Sequence, residues 1–136
     1  MNKVRNLLLA LMLGTSLIGS AALAAEGSGP SYVRLRPISF SVIGPSNKID
    51  KEVSLSLVLE LEGGKTEAQF DPFRRQVLDS FLVALNELYD SQKPGDPPVP
   101  GEAIKDKLLE VASEITGPGL IKSVLILSVG ERTHGR

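Results

Sequence analysis

The spacing of apolar residues changes several times along this chain, and each spacing predicts its own element. Val33 and Leu35 alternate with Arg34 and Arg36; beyond Pro37 the opposite parity takes over, with Ile38, Phe40 and Val42 alternating with Ser39 and Ser41. Alternation marks a half-buried strand, and a phase slip at a proline marks a bulge on an edge strand. Proline cannot donate to a ladder, and one extra residue restores the facing. This run is therefore expected to form one bent edge strand. Gly44, Pro45, Ser46 and Asn47 are turn formers. After them Val53, Leu55, Leu57, Leu59 and Leu61 hold one parity against Glu52, Ser54, Ser56, Glu60 and Glu62, with Val58 as the exception. At 100° per residue these leucines would be spread around a helix axis, so the stretch reads as a second strand, antiparallel to the first through a hairpin.

Gly63 and Gly64 end that strand, and Thr66 to Phe70 has room for a helical turn or two. Asp71 followed by Pro72 resembles an N-cap with proline at the first helical position, where the missing amide hydrogen costs nothing. The apolar positions then become Phe73, Val77, Leu78, Phe81, Leu82, Leu85, Leu88 and Tyr89, the spacing of an amphipathic helix. Arg75 and Asp79 lie four apart on its polar side, a pair worth a few tenths of a kcal/mol. Four prolines and two glycines between Lys93 and Gly101 predict a surface loop. Ile104, Leu108, Leu109, Ala112 and Ile115 form the stripe of a second helix, with Glu110 and Glu114 outward, and Gly117, Pro118 and Gly119 stop it. Ile121 to Val129 is a nearly continuous apolar run. It is expected to be a central strand covered on both faces, or covered on one face and set against a neighbouring subunit on the other. Residues 131–136 are polar and expected to form a disordered tail.

The element order is thus β-β-α-α-β. It predicts an α+β fold, a small antiparallel sheet with two helices on one face. A sheet of so few strands has open edges and is a candidate for self-association.

The start of the chain adds a compartment. Lys3 and Arg5 precede an apolar run from Leu7 to Ile18, and Ala22, Leu23 and Ala24 make a small-x-small cut pattern. Residues 1–24 therefore read as a signal peptide, with a retained membrane anchor as the alternative. Gly14, Thr15, Ser16, Gly19 and Ser20 make a poor membrane helix and favour cleavage. Residues 25–31 form a linker rich in glycine, serine and proline, and 32–130 one folded domain. Removal of Lys3 and Arg5 with the leader leaves 13 basic against 16 acidic side chains, which gives no support to a nucleic-acid partner. Basic residues fall in small scattered groups, Arg34 with Arg36 and Arg74 with Arg75.

Reactive constellations are hard to find. The chain has no cysteine, which removes thiol catalysis, thiolate metal sites and disulfides. Its one histidine, His134, sits near the end with no expected partner. Glu60 and Glu62 alternate along a strand, and Glu110 and Glu114 line a helix surface, as solvated faces do. The serines at 39, 41, 54 and 56 lack the glycine setting of a nucleophile elbow. Gly63, Gly64, Gly117 and Gly119 lack the spacing of a phosphate loop. No catalytic residue, no cofactor-binding residue and no metal ligand is assigned.

The stretch from Tyr32 to Val129 resembles the periplasmic domain of the flagellar basal body-associated FliL family. The likeness lies in the tyrosine-led first strand with its early proline (Tyr32, Val33, Leu35, Pro37), the leucine-rich second strand (Val53 to Glu62), and Pro72 with Arg75 opening a long helix. It continues through the charged second helix (Ala103 to Glu114) and a closing strand introduced by Gly119, Leu120, Ile121, Lys122 and Ser123. The resemblance implies a stomatin-like fold, no enzymatic activity and no cofactor. It also implies assembly into a homo-oligomer and association with the stator and basal-body proteins of the flagellar motor, in support of motility. Two features depart from the family. Its members keep the N-terminal hydrophobic segment as an anchor, and here that segment ends in a cut pattern, so membrane contact is implied only if the leader is retained. The acidic residue usual after the arginine is here Gln76. The runner-up reading is a soluble periplasmic adaptor or ligand-binding module unrelated to motility.

Overall fold

The strict alternation of residues 53–61 becomes the middle of the sheet. In the computed structural model, which describes residues 29–93 and 95–134, strand β3 runs Ile49–Leu61. Val53, Leu55, Leu57, Leu59 and Leu61 are all buried. The expected signal peptide, residues 1–24, lies outside the described residues.

Two short strands, β1 (Tyr32–Arg34) and β2 (Ile38–Ile43), lie end to end along one edge of β3, both antiparallel to it. Val33 stands opposite Leu59 and Ile38 opposite Leu55, five steps on one side against four on the other. The single bent strand is therefore split at Pro37, and the extra residue turns Val33, Leu35, Ile38, Phe40 and Val42 to the same buried face. Pairing bridges the break, since the Leu35 amide donates to the Leu57 carbonyl at 3.2 Å. A tight turn follows, with Asn47 in the left-handed region at φ 57°.

Helix α1 is a single turn, Glu67–Phe70, and passes through a 3-10 turn, Asp71–Phe73, into α2, Arg74–Asp90. Asp71 is thus not the N-cap. Thr66 is, with Gln69 Oε1 accepting the Thr66 amide at 2.8 Å, the return half of a capping box. The Asp71 carboxylate is instead occupied by Arg74, accepting from its Nε at 3.1 Å and its Nη2 at 2.8 Å. Helix α3, Gly101–Thr116, packs against α2, and Gly117 at φ 80° turns the chain into strand β4, Ile121–Thr133.

The fold is α+β: a four-stranded antiparallel sheet with α2 over β2 and α3 over β4. Val77, Phe81 and Leu85 of α2, with Ile104, Leu108 and Ala112 of α3, close the core over the leucines of β3. Phe40 meets Tyr89 edge to face, centroids 5.2 Å apart at 69°. Leu82, expected within the apolar stripe of α2, sits on its rim and is 37% exposed, while Ala84 is buried.

Strand β4 is not central. It pairs with β3 alone, and β3 is the strand paired on both sides. Two bulges account for the misleading run. Ser56 faces Ser128 but Leu57 faces Ile126, and Glu60 faces Ser123 but Leu61 faces Ile121, so Leu127 and Lys122 are extra residues. Each bulge reverses parity, placing Ile121, Val124, Ile126 and Val129 opposite the inward leucines and hiding an alternation that a regular strand would display. The tail is also corrected: Glu131, Arg132 and Thr133 continue the ladder opposite Val53, Glu52 and Lys51, and the His134 amide donates to the Asp50 carbonyl at 3.0 Å. Because β3 begins at Ile49, ahead of its leucines, it offers backbone partners to these polar residues, and ladder bonds do not depend on side-chain polarity.

Candidate functional site

The carboxylates noted in the sequence do not converge. Glu110 and Glu114 are exposed on α3. Glu60 accepts a hydrogen bond from Ser123 Oγ at 2.8 Å and lies 3.8 Å from Lys122 Nζ, across the open face of the sheet. His134 does have a neighbour, its Nε2 lying 3.6 Å from Glu52 Oε1. Among the described residues no group of three or more His, Asp or Glu is placed to hold a metal ion. Ser39 donates to Ser54 at 3.4 Å as a cross-strand pair.

One polar cluster closes the end of the core. The Tyr89 ring is buried under Lys51, whose Nζ lies 5.2 Å from the ring centroid and 3.8 Å from Glu131 Oε2. The Tyr89 hydroxyl donates to Glu131 Oε1 at 3.4 Å. Burial first, and then the charge and hydrogen bond of Glu131, push the Tyr89 hydroxyl up to about 12. This cluster ties the last turn of α2 to the residues of β4 that sequence polarity assigned to a tail, and it holds those residues in place.

Four arginines that are scattered in sequence meet in one cleft of about 570 Å³ beside the kink at Pro37. Arg34 ends β1 and Arg36 lies in the break before Pro37, while Arg74 and Arg75 come from the first turn of α2. Arg34 and Arg36 line the same cleft as that first turn. Arg74 is the anchor: it bonds Asp71, reaches Glu67 Oε1 at 2.6 Å and the Arg34 carbonyl at 3.4 Å, and its guanidinium lies 5.5 Å from the Phe70 ring centroid. Its hydrogen bonds to Asp71 and then Glu67 outweigh partial burial and raise its pKa above the ordinary value. Among the described residues Arg34, Arg36 and Arg75 form no ion pair, and Asp79 lines the cleft without pairing to Arg75. The doublets Arg-x-Arg and Arg-Arg were the available signal. Their convergence depends on a bulge whose direction alternation alone does not give.

The open edge of β4 is the other exposed feature. Eleven of the thirteen residues of the strand pair, all on one side, within the described residues. Leu127 and Val129 are 54% and 45% exposed on it, and Leu125 is half-buried on the outer face. Comparison with known proteins finds no matching family model and no matching curated protein. No helix of the described residues is long and apolar enough to cross a membrane.

Proposed function

We propose that this is an exported, periplasmic, non-enzymatic protein of the flagellar basal body, cut before Ala25, which assembles with itself and associates with the stator to support motility. The resemblance of Tyr32 to Val129 to the FliL family motivates the reading. The observation that carries its contact-based part is the long open edge of β4, with Leu127 and Val129 exposed along it. A long edge strand without proline is a template for pairing. A second copy is the natural occupant. Set antiparallel with Leu125 opposite its own counterpart, two β4 strands would pair Ile121 with Val129 and Val124 with Ile126. Members of each pair lie on the same face, as their partners in β3 dictate, and Lys122 meets Ser128 rather than another charge.

Deleting the gene and measuring swimming and stator recruitment tests the reading. Reduced swimming with fewer stator units at the motor is expected; normal values of both would overturn it.

A further inference from the structure

The arginine cleft is not needed for self-pairing through β4, which lies on the opposite edge of the sheet. The geometry points to a second binding surface there, for an extended acidic segment of a partner protein whose carboxylates engage Arg34, Arg36 and Arg75. Three observations carry this. These guanidiniums converge on one cleft without an ion pair among the described residues, although the chain as a whole carries more acid than base. Asp71 is already taken by Arg74, and Asp79, the other carboxylate lining the cleft, forms no ion pair among the described residues, so four arginines there stand against two carboxylates. Finally, the cleft runs on into a second hollow lined by Pro37, Ile38, Leu78 and Leu82, with Arg36 and Asp79 at the join, beside the edge of β2 that β3 leaves open.

Guanidinium forks match carboxylates in a bidentate geometry and tolerate partial desolvation better than ammonium groups do. The adjoining apolar floor and the open backbone edge select a ligand that is acidic at one end and apolar beyond it. Strand addition along an exposed edge, with pockets for alternate side chains, is an established mode of peptide capture. Arg74 serves as the positioning residue: its bonds to Asp71, Glu67 and the Arg34 carbonyl fix the helix turn against the strand, so the other three side chains share one opening.

This inference deepens the contact-based reading above by naming a surface and a partner chemistry, and its test is independent of motility. The purified protein is titrated with a fluorescein-labelled acetyl-Glu-Glu-Glu-Leu-Ser-Val-Ser peptide, followed by anisotropy. Saturable binding is expected, weakening as sodium chloride rises. Arg34→Gln with Arg36→Gln and Arg75→Gln should raise the dissociation constant at least about tenfold, with the circular dichroism spectrum and Tm unchanged because all three side chains are exposed. Leu127→Lys, on the far edge, should leave binding as it is. A peptide with glutamine in place of glutamate should fail to bind. No binding of the acidic peptide, equal binding by the triple variant, or arginine-dependent binding to phosphatidylglycerol vesicles without peptide binding would each overturn the inference. A protein that supports swimming yet ignores the peptide would remove this inference alone.

Discussion

Tyr89 joins apolar and polar packing in one side chain. Its ring meets Phe40 edge to face in the core, while its hydroxyl reaches Glu131 on β4 and Lys51 on β3 lies over the ring. Burial favours the neutral phenol, and Glu131 disfavours a second negative charge beside it, so the folded state holds the proton more tightly than the unfolded chain. A pKa raised in the fold contributes stability that is complete below the unfolded value and is lost as pH climbs through the folded one. Between pH 10 and about 12 the wild-type protein should therefore lose stability that Tyr89→Phe retains, read as midpoints of urea unfolding across that range. Parallel losses in the two proteins would show that Tyr89 is not the group responsible. At neutral pH the variant should be nearly as stable as wild type, because the hydrogen bond it removes is long, at 3.4 Å, and such bonds contribute about 1 kcal/mol or less.

Individual elements were legible where one physical signal dominated. The leucines of β3 alternate without interruption and the two helices carry amphipathic stripes, so their type and packing face followed from period alone. Where two signals compete, local sequence points to the wrong boundary or the wrong face. Asp71 and Pro72 form a good helix start taken alone, yet Thr66 and Gln69 form a better one a turn earlier, and proline fits the intervening 3-10 turn. In β4 the bulges at Lys122 and Leu127 scramble parity, so a one-sided edge strand looks like a two-sided central one. Both bulges lie where β4 must follow the twist of a thirteen-residue neighbour, and nothing in local sequence marks them. The arginine cleft was illegible for the same reason, since it is assembled across the break between β1 and β2. Gly117 sits where α3 turns into β4, in backbone space that side chains avoid. Its φ is 80°, and apart from its chain neighbours no heavy atom lies within 4 Å of the point a Cβ would occupy, so only backbone strain opposes a side chain there. Gly117→Ala should cost about 1–3 kcal/mol by urea unfolding; a cost below a few tenths would mean the turn from α3 into β4 relaxes freely.

At the scale of the whole molecule, the sheet has two unequal edges. One is broken into two short strands flanked by arginines, and the other is a single long strand with exposed Leu127 and Val129. That asymmetry suits a protein holding a copy of itself on one side and a different partner on the other. Because the chain has no cysteine, a single Leu125→Cys substitution provides a clean report on the first contact. Directly opposed residues of an antiparallel pair lie about 4.5–5.5 Å apart at Cα, within disulfide range. Mild oxidation of this variant should give a covalent dimer, while Glu110→Cys on the exposed surface of α3 should stay monomeric under the same conditions. Equal cross-linking of both would point to random collision. Swimming speed in a deletion strain decides whether the molecule works in the motor through the outer strand of its sheet, as proposed. Wild-type protein should restore swimming. A folded Leu127→Lys, Val129→Lys variant made at equal abundance should not, whereas full restoration by that variant would rule out this edge as the working surface.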